Sequence, residues 1–340
     1  MNTTNMNILV TGGAGYIGSH VVVELTNAGY TPIIVDNFCN SEKSTLEGLK
    51  EILGHETKIY EGDCRDEKFM TSVFKAENID GVIHFAALKA VGESVEKPLE
   101  YYDNNVGSLI LLLKLMKAYG TINLVFSSSC TVYGQPDQLP VTELSPKKKA
   151  ESPYGNTKQI CEDIIEDTFK SGVDIKAFAL RYFNPIGAHP SGLIGELPLG
   201  VPNNLVPFIT QTAAGIREMI TVYGNDYDTK DGTCIRDYIH VQDLAKAHVR
   251  SLEVLNDMNK SHLDFINIGS GKGNSVLEVI QTFEKVNSLK LNYQIGTRRE
   301  GDVEKVYANA SKSKNILSWE VEKTLEDSLK DAWNWQQKLS

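Results

Sequence analysis

Short apolar runs alternate with amphipathic stretches along the first half of the chain. Patterns typical of buried strands occupy residues 7–11, 31–35, 58–63, 81–87, 122–127 and 175–180, and helical periodicity fills 19–28, 67–76, 98–119 and 154–169. Strands that alternate with helices in this way predict an α/β fold built on a Rossmann-type, doubly wound parallel sheet. Ligands of such sheets bind at the carboxyl ends of the strands.

The pattern changes after Tyr182. Residues 187–207 are rich in Gly and Pro and have no steady period. The sequence therefore predicts a Rossmann-type domain over 1–182 and a smaller, mixed α/β substrate domain over 183–340. Sheet-like patterns return later in the chain, and we expect segments near 235–268 to rejoin the first domain, so that the two domains are interleaved.

Three glycines, Gly12, Gly15 and Gly18, lie between the first strand and its helix. Glycine there permits a tight turn, close approach of the backbone to a pyrophosphate and close helix–strand packing. Asp36 stands at the tip of the next strand, where a carboxylate can bind an adenosine ribose. The glycines alone could serve a merely structural turn, but strand, helix and acid together predict a dinucleotide site. Asp36 would repel the 2′-phosphate of NADP, and residues 37–42 contain no Arg or Lys, so the sequence favours NAD.

A tyrosine and a lysine occupy i and i+4 at the start of another predicted helix. Ser152 is its expected N-cap and Pro153 suits its first turn. Tyr154 and Lys158 would then share one face, and a nearby ammonium would lower the pKa of the phenol and make it a general base near neutral pH. A solvated helix face is the alternative for this spacing alone. The hydroxyls at 127–131 follow a strand end and could reach the proton that Tyr154 takes from a substrate.

Composition narrows the class of protein. The chain has 340 residues, 41% hydrophobic and 23% charged, and a formal net charge of −10, which argues against a nucleic-acid or anionic membrane surface. The five cysteines are scattered without metal-ligand spacing, no apolar run approaches a membrane span of about 20 residues, and the N-terminus lacks a signal-peptide pattern. We expect a cytoplasmic protein without a metal site. His84, within an apolar strand, is interpreted as a core histidine rather than a ligand.

The glycine turn, Ser127-Ser128-Ser129 and Tyr154-x-x-x-Lys158 together resemble the extended short-chain dehydrogenase/reductase family. Motifs at 88–94, 101–106, 127–134, 181–185, 236–241 and 299–302 resemble its UDP-glucose 4-epimerases, and the resemblance covers nearly the whole chain. It implies an isomerase of galactose and nucleotide-sugar metabolism. In such enzymes a tightly held NAD takes a hydride from C4 of a UDP-hexose, the 4-keto sugar rotates, and the hydride returns to its other face.

The resemblance also implies roles for individual residues. Tyr154 would take the O4 proton, Ser129 would bond O4 and relay the proton, and Lys158 would also hold the nicotinamide ribose. Cofactor positions are Gly12, Gly15, Tyr16, Ile17, Gly18, Asp36, Asn37, Asp63, Phe85, Ala86, Lys89, Asn104, Ser129, Tyr154, Lys158 and Tyr182. UDP-sugar positions are Ser129, Tyr154, Asn184, Asn204, Leu205, Tyr223, Arg236, Arg299, Asp302 and Val306. The family further implies a homodimer that joins helices near 100–118 and 154–170 in a four-helix bundle.

Three alternative functions share the same fold. Sugar-nucleotide 4,6-dehydratases need an acid and a base for elimination. This chain has Cys130 and Thr131 at those positions, and these residues cannot do that work, which argues against a dehydratase. A uronic-acid epimerase or decarboxylase needs cationic recognition of a C6 carboxylate, which the sequence leaves open. An NAD-sensing scaffold would have no use for a tuned base.

Sugar specificity rests on one position. In the family, the fourth residue after the Gly-Asp aspartate borders the pocket for the sugar's 2-substituent, and counting from Asp302 gives Val306. A small residue there predicts interconversion of UDP-GlcNAc and UDP-GalNAc as well. A slip of one residue would place Tyr307 there and reverse the prediction, and packing of Val306 within a loop is the remaining alternative.

Overall fold

Residues 6–299 and 303–339 are the part of the chain that this computed structural model describes, and they contain thirteen strands, eleven α-helices and one short 3-10 helix (Cys130–Tyr133). The strands are β1 (Asn7–Thr11), β2 (Thr31–Asp36), β3 (Lys58–Glu61), β4 (Gly81–His84), β5 (Asn123–Ser129), β6 (Lys176–Tyr182), β7 (Asn184–Ile186), β8 (Ile220–Tyr223), β9 (Ile235–His240), β10 (His262–Ile268), β11 (Gly273–Ser275), β12 (Tyr293–Gly296) and β13 (Lys305–Val306). The helices are α1 (Tyr16–Asn27), α2 (Ser44–Leu53), α3 (Glu67–Ala76), α4 (Val91–Glu96), α5 (Pro98–Tyr119), α6 (Pro153–Lys170), α7 (Leu205–Ala213), α8 (Val241–Asp257), α9 (Val276–Asn287), α10 (Ser311–Leu317) and α11 (Leu325–Leu339).

The chain divides into two compact units. Unit 1 contains Met1–Gly134, Pro146–Tyr182 and Ala245–Ile266, and unit 2 contains Gln135–Ser145, Phe183–Leu244 and Asn267–Ser340. The predicted boundary at Tyr182 coincides with the end of the second segment of unit 1. The chain returns to unit 1 twice, at Pro146 and again at Ala245.

A seven-stranded sheet forms the centre of unit 1, in the order β10-β6-β5-β4-β1-β2-β3. The six strands from β6 to β3 run parallel, with Thr11 opposite both Val35 and His84. The strand order reverses between β1 and β4, which is the place where doubly wound sheets bind ligands. The predicted Rossmann-type fold is confirmed.

Helices α3, α5 and α6 contribute to the hydrophobic core of unit 1. One cluster joins strand residues such as Leu9, Val82 and Phe126 to Leu112 of α5 and Ile165 of α6, and all five are at most 2% exposed. Fully burying a side chain of this size stabilises the fold by about 1.5–3 kcal/mol. This packing fixes α6, the helix with the Tyr154/Lys158 pair, against the sheet.

Unit 2 is built around β9. This strand pairs with β11 (antiparallel), β13 (parallel) and β7 (parallel), while β8 and β12 form a separate two-stranded parallel sheet. Its core includes Ile209 of α7, Ile280 and Phe283 of α9 and Leu329 of α11, all fully buried. Unit 2 therefore has a hydrophobic core of its own.

Two details of the predicted division are wrong. Residues 235–240 do not rejoin unit 1, because the backbone of β9 is hydrogen bonded to strands of unit 2. Residues 135–145, predicted as part of the first domain, belong to unit 2. There Val141 donates its N–H to Tyr307 O (3.0 Å) and accepts from Asn309 N (2.7 Å).

Within residues 6–299 and 303–339, no helix is both long and apolar enough to cross a membrane. The same residues contain no group of three His, Cys, Asp or Glu side chains that could hold a metal ion. All five cysteines are free thiols.

Candidate active site

The glycine turn between β1 and α1 requires glycine at two of its three positions. Gly12 has a φ of +70°, and a Cβ on it would lie 2.9 Å from Ala86 N. A Cβ on Gly18 would lie 2.2 Å from Gly12 O, so the helix could not pack this closely on the turn with a larger residue. Gly15 is the N-cap of α1, without a side-chain hydrogen bond to the first turn. The N–H groups at the start of a helix are suited to a phosphate.

Asp36, at the end of β2, lies against this turn. Its carboxylate accepts hydrogen bonds from Ala14 N (3.0 Å), Phe38 N (2.9 Å) and the hydroxyl of Ser41 (2.9 Å). A carboxylate offers about four acceptor positions, so this arrangement leaves room for a further donor such as a ribose hydroxyl. Asp36 therefore braces the glycine turn as well as standing at the predicted ribose position.

Cations near Asp36 are already paired with acids. Lys43 lies 2.7 Å from Glu61, with its ammonium over the ring of Phe38. Arg65 donates to the carboxylate of Asp63 through Nε and Nη2, and its Nη1 lies 2.5 Å from Asp103. Asp63, a predicted cofactor residue, is thus held by Arg65, and the pKa of its carboxyl is lowered by that hydrogen bond.

The other predicted cofactor residues of unit 1 lie along β4, α1, α5 and β6. Ala86 N donates to the hydroxyl of Thr11 (3.3 Å), and Asn104 donates to its neighbour Asn105 (2.9 Å). Tyr182 is buried, and its hydroxyl forms a short hydrogen bond with Ser127. Half-buried side chains are those of Tyr16, Ile17, Phe85, Ala86 and Asn104, while Asn37 and Lys89 are exposed.

The predicted catalytic residues meet at the carboxyl end of β5. Ser152 caps α6 by accepting from Gly155 N (3.2 Å), and Pro153 occupies the first turn, so the predicted helix start is confirmed. Ser129 lies beside the phenol of Tyr154 and acts to lower its pKa. Lys158 is buried, and its ammonium donates to the carbonyl of Ser127 (2.6 Å) and lies 6.0 Å from the centre of the Tyr154 ring. The structure therefore brings all three predicted catalytic residues together.

Several predicted UDP-sugar residues lie in unit 2. The guanidinium of Arg299 lies 5.7 Å from the ring centre of Tyr223, at the exposed end of β8. Arg236 of β9 is opposite Val306 of β13 in the strand pairing. Asn184 begins β7, Asn204 is the N-cap of α7 and donates to Glu196 (2.6 Å), and Leu205 begins that helix. Asp302 lies outside the described residues.

Comparison with known proteins agrees with this arrangement. A family model described as GDP-mannose 4,6 dehydratase matches residues 9–332. The UDP-glucose 4-epimerase of Haemophilus influenzae is 49% identical over 331 residues, which cover 97% of each chain. The chain belongs to the UDP-glucose 4-epimerase family of extended short-chain dehydrogenases/reductases. The resemblance predicted from the sequence motifs is thereby confirmed.

Solved structures of this family superpose on nearly the whole chain. The UDP-glucose 4-epimerase from Bifidobacterium longum, crystallised with NAD+ and UDP, has a TM-score of 0.94 and 49% identity, covering 98% of both chains. The enzyme from Stenotrophomonas maltophila, with bound NAD and formylated UDP-arabinopyranose, has a TM-score of 0.95 and 47% identity, also covering 98% of both chains.

The electrostatics of the Tyr154/Lys158 pair differ from the sequence prediction. Burial raises the pKa of Tyr154 to about 12, against a smaller lowering by Ser129. Burial also lowers the pKa of Lys158 to about 8. The predicted lowering of the Tyr154 pKa is therefore wrong in this structure, because desolvation disfavours phenolate and the ammonium is directed at Ser127 O rather than at the phenol.

Sequence reasoning missed three charged residues beside the site. Arg65 holds Asp63, and Glu162 of α6 forms a buried ion pair with Arg181 of β6. Glu162 could have been noticed from its spacing, because it follows Lys158 by four residues and therefore shares its helix face. Arg65 lies two residues after Asp63, whereas nothing near Arg181 in the sequence indicates its partner, Glu162.

Proposed function

We propose that this protein is an NAD-dependent epimerase that interconverts UDP-glucose and UDP-galactose at C4 of the hexose. The observation that carries the proposal is the placement of Lys158 at the end of β5, where its buried ammonium donates to Ser127 O (2.6 Å) and lies 6.0 Å from the ring centre of Tyr154. These residues stand in a chain that is 49% identical, over nearly its whole length, to a UDP-glucose 4-epimerase. A buried phenol, hydroxyl and ammonium at one strand end suit proton transfer from an alcohol.

The residues of unit 1 fit NAD. A Cβ at Gly12 or Gly18 would fill the turn where a pyrophosphate approaches the backbone, and Asp36 keeps an acceptor position for a ribose hydroxyl. When bound, NAD supplies a hydride acceptor that returns the hydride within the same cycle, and its nicotinamide adds a positive charge near the reacting alcohol. The proposed contacts are Gly12, Gly15, Tyr16, Ile17, Gly18, Asp36, Asn37, Asp63, Phe85, Ala86, Lys89, Asn104, Ser129, Tyr154, Lys158 and Tyr182.

Tyr154 is the proposed base for the O4 proton. Its pKa of about 12 means that the phenol is protonated at neutral pH until positive charge favours phenolate. Lys158 contributes such a charge, and its bond to Ser127 O holds the ammonium in place. Ser129, beside the phenol, would bond O4 and relay the proton. Oxidation at C4 yields a 4-keto sugar, which must turn its other face before it is reduced again.

Unit 2 would hold the UDP moiety while the sugar turns. Two arginines, Arg236 and Arg299, are suited to a diphosphate because guanidinium groups bind phosphate oxygens through several donors. Tyr223 has an exposed ring beside Arg299, and the uracil base of UDP could stack on that ring. Proposed contacts to the UDP-sugar are Ser129, Tyr154, Asn184, Asn204, Leu205, Tyr223, Arg236, Arg299, Asp302 and Val306. In this proposal 1–182 and 183–340 are the NAD and UDP-sugar domains, with the exchanged segments described above.

Val306 supports a broader substrate range that includes UDP-GlcNAc and UDP-GalNAc. It is small, 7% exposed, and shares its side of the sheet with Arg236 because paired residues of parallel strands point to the same face. An acetamido methyl could therefore lie against valine, where tyrosine would exclude it.

The finer assignments are a cytoplasmic location and a homodimer. Five free cysteines suit a reducing compartment.

Helices α5 and α6 pack side by side, and Leu99 and Ile110 present exposed apolar side chains on one face of α5. A second copy of this helix pair would cover that face in a four-helix bundle, and sedimentation of wild type and Ile110→Glu tests it.

The deciding experiment adds UDP-galactose to the purified protein and follows UDP-glucose by chromatography. Absorbance near 340 nm would show whether a bound dinucleotide is reduced transiently. We expect product without added reductant or oxidant. Dinucleotide binding without any turnover would instead indicate a sensor, and turnover of UDP-glucuronate alone would indicate a uronic-acid enzyme.

A further inference from the structure

A buried ion pair adjoins the three serines at the end of β5. Glu162 of α6 and Arg181 of β6 are 0% and 3% exposed. They are joined by two hydrogen bonds, Nε to Oε1 (2.8 Å) and Nη2 to Oε2 (2.7 Å). The hydroxyl of Ser128 donates to Oε1 of Glu162 (2.6 Å). The carboxylate of Glu162 is thus fixed by one partner on each of the two strands next to α6.

Arg181 is itself held rigidly. Its Nη1 donates to the hydroxyl of Tyr133 (3.1 Å), and its guanidinium lies 5.0 Å from the ring centre of Tyr133 and 4.8 Å from that of Phe265. Aromatic rings and a bidentate carboxylate together leave the guanidinium little freedom. Lys147 also approaches Oε2 of Glu162 at 3.4 Å, but it is partly exposed and lies closer to Asp163, at 2.6 Å.

The Ser128–Glu162 bond lies between two contacts of the candidate active site. On one side of Ser128, the carbonyl of Ser127 accepts from Lys158 (2.6 Å), and on the other side Ser129 lies beside the phenol of Tyr154. Glu162 follows Lys158 by one helical turn, so both side chains face β5. The end of β5 and helix α6 are therefore tied together by two adjacent bonds, one from Lys158 and one from Glu162.

We propose that Glu162 is a positioning residue for the epimerase reaction, because its bonds to Ser128 and Arg181 fix the spacing between the serines of β5 and the helix that carries Tyr154 and Lys158. The inference rests on the proposed function. An apolar residue of the same size would fill the space, but it would give no directed bond to Ser128. Small errors in the placement of reacting groups cost large factors in rate.

The charge of Glu162 also acts on Lys158. The titratable groups near Lys158 are Tyr154, Cys161 and Glu162 on its own helix and His84 on β4. Burial lowers the pKa of Lys158, whereas Cys161 and Glu162 raise it. Loss of the Glu162 charge should therefore lower the pKa of Lys158 further, which gives a readout that a merely structural role would not move.

The test compares three variants of the full-length protein. Glu162→Gln keeps the size of the side chain and an acceptor for Ser128 but removes the charge. Ser128→Ala removes the bond to Glu162 and leaves the ion pair with Arg181 intact. Glu166→Gln is the matched control, because Glu166 lies one turn further along α6 and forms a surface ion pair with Lys170 at 2.8 Å. Folding is checked by circular dichroism and urea unfolding, and kcat, KM and the pH–rate profile are measured with UDP-galactose.

We expect kcat to fall about tenfold or more in Glu162→Gln and Ser128→Ala, with KM within about twofold, since positioning acts on the chemical step. In Glu162→Gln the alkaline limb of the kcat profile should move to lower pH. Glu166→Gln should have the same kcat and the same pH profile as wild type. Folded Glu162→Gln with wild-type kcat and pH profile would overturn the proposal. If Glu162→Gln does not fold, Ser128→Ala decides alone, and an unchanged kcat in that variant overturns it equally.

The titration of Lys158 separates this inference from the proposed function. NMR of protein labelled with ¹³C-lysine, with Lys158→Ala used to assign the signal, reports that titration without any turnover. Wild-type protein without epimerase activity would contradict the proposed function. A lower pKa of Lys158 in Glu162→Gln would still support the inference that Glu162 acts on the helix face that carries Lys158. An unchanged Lys158 titration together with unchanged kcat would contradict the positioning role alone.

Discussion

Val306 of β13 lies opposite Arg236 of β9 in a parallel pairing. Because side chains alternate along a strand, Tyr307 points to the other face of this sheet. A Cβ on Gly273, which pairs with Asp237 on that other face, would lie 3.2 Å from Cδ1 of Tyr307. The register thus associates Val306, rather than Tyr307, with the arginine proposed to bind the diphosphate.

Val306→Tyr should close the proposed pocket to N-acetyl groups. We expect turnover of UDP-GlcNAc and UDP-GalNAc to fall at least tenfold, while the glucose/galactose reaction is largely kept, since only the larger 2-substituent meets the tyrosine ring. Assays of both sugar pairs give the ratio. Tyr307→Phe is the control and should leave the ratio unchanged. The proposed role of Val306 would be contradicted if the wild-type protein is inactive on N-acetyl sugars, or if the variant loses neither reaction.

Tyr154→Phe should fold, retain bound NAD and lose roughly a hundredfold or more in kcat, the usual scale of general acid–base catalysis. In the proposed function the Tyr154 phenol exchanges the O4 proton, and phenylalanine has no hydroxyl to do so. Tyr119→Phe, at an exposed position of α5, serves as the control. Near-wild-type turnover by Tyr154→Phe would exclude this residue as the base.

Lys158→Ala should lower kcat to a similar degree and move the optimum of the pH–rate profile upward. Burial already raises the pKa of Tyr154 to about 12, and removal of the neighbouring ammonium leaves phenolate still less favoured. In the wild type, with a Lys158 pKa of about 8, kcat should decline as pH rises well above that value. A profile that is identical in both proteins would show that the ammonium does not act on the phenol.

Asp36→Ala should narrow the preference for NAD over NADP by about tenfold or more, which corresponds to roughly 1.4 kcal/mol. The charge of Asp36 repels a 2′-phosphate, and Lys43 and Arg65 are paired with acids and do not offset it. Affinities for both dinucleotides would be measured by calorimetry after removal of bound cofactor. Ser41→Ala removes one hydrogen bond to the Asp36 carboxylate without changing the charge of Asp36. This variant should keep the preference for NAD over NADP. Equal binding of NAD and NADP by wild type would refute the charge argument.

Stability should fall in mild acid because of His84. This side chain is 2% exposed, its Nδ1 lies 2.7 Å from the hydroxyl of Thr11, and burial lowers its pKa to about 3. Between that value and the ordinary pKa of about 6.5, the unfolded chain binds a proton that the folded chain does not, so the free energy of unfolding falls as pH decreases. From pH 7 to pH 5 this histidine alone should cost about 2 kcal/mol.

Urea unfolding of wild type and His84→Gln at pH 7 and pH 5 isolates this contribution. The variant should lose less stability than wild type between the two pH values. His55→Gln, at an exposed position, should leave the wild-type dependence unchanged. An equal loss in wild type and His84→Gln would mean that His84 is protonated in the folded protein.

The sequence by itself determined the parallel sheet, the glycine turn, the start of α6 at Ser152-Pro153 and the family. Periodicity, turn chemistry and helix caps act between residues close along the chain, so they can be read without the fold. The interpretation of His84 as a core histidine follows from the same local pattern, and the structure agrees with it through the Thr11 contact.

Only the tertiary structure decided how β9 is paired, where residues 135–145 belong, which face Val306 occupies, and that Glu162 meets Arg181 and Ser128. These are contacts between residues far apart along the chain. The raised pKa of Tyr154 has the same origin, because desolvation depends on every group packed around the phenol, whereas the i+4 spacing reports only the ammonium on its own helix.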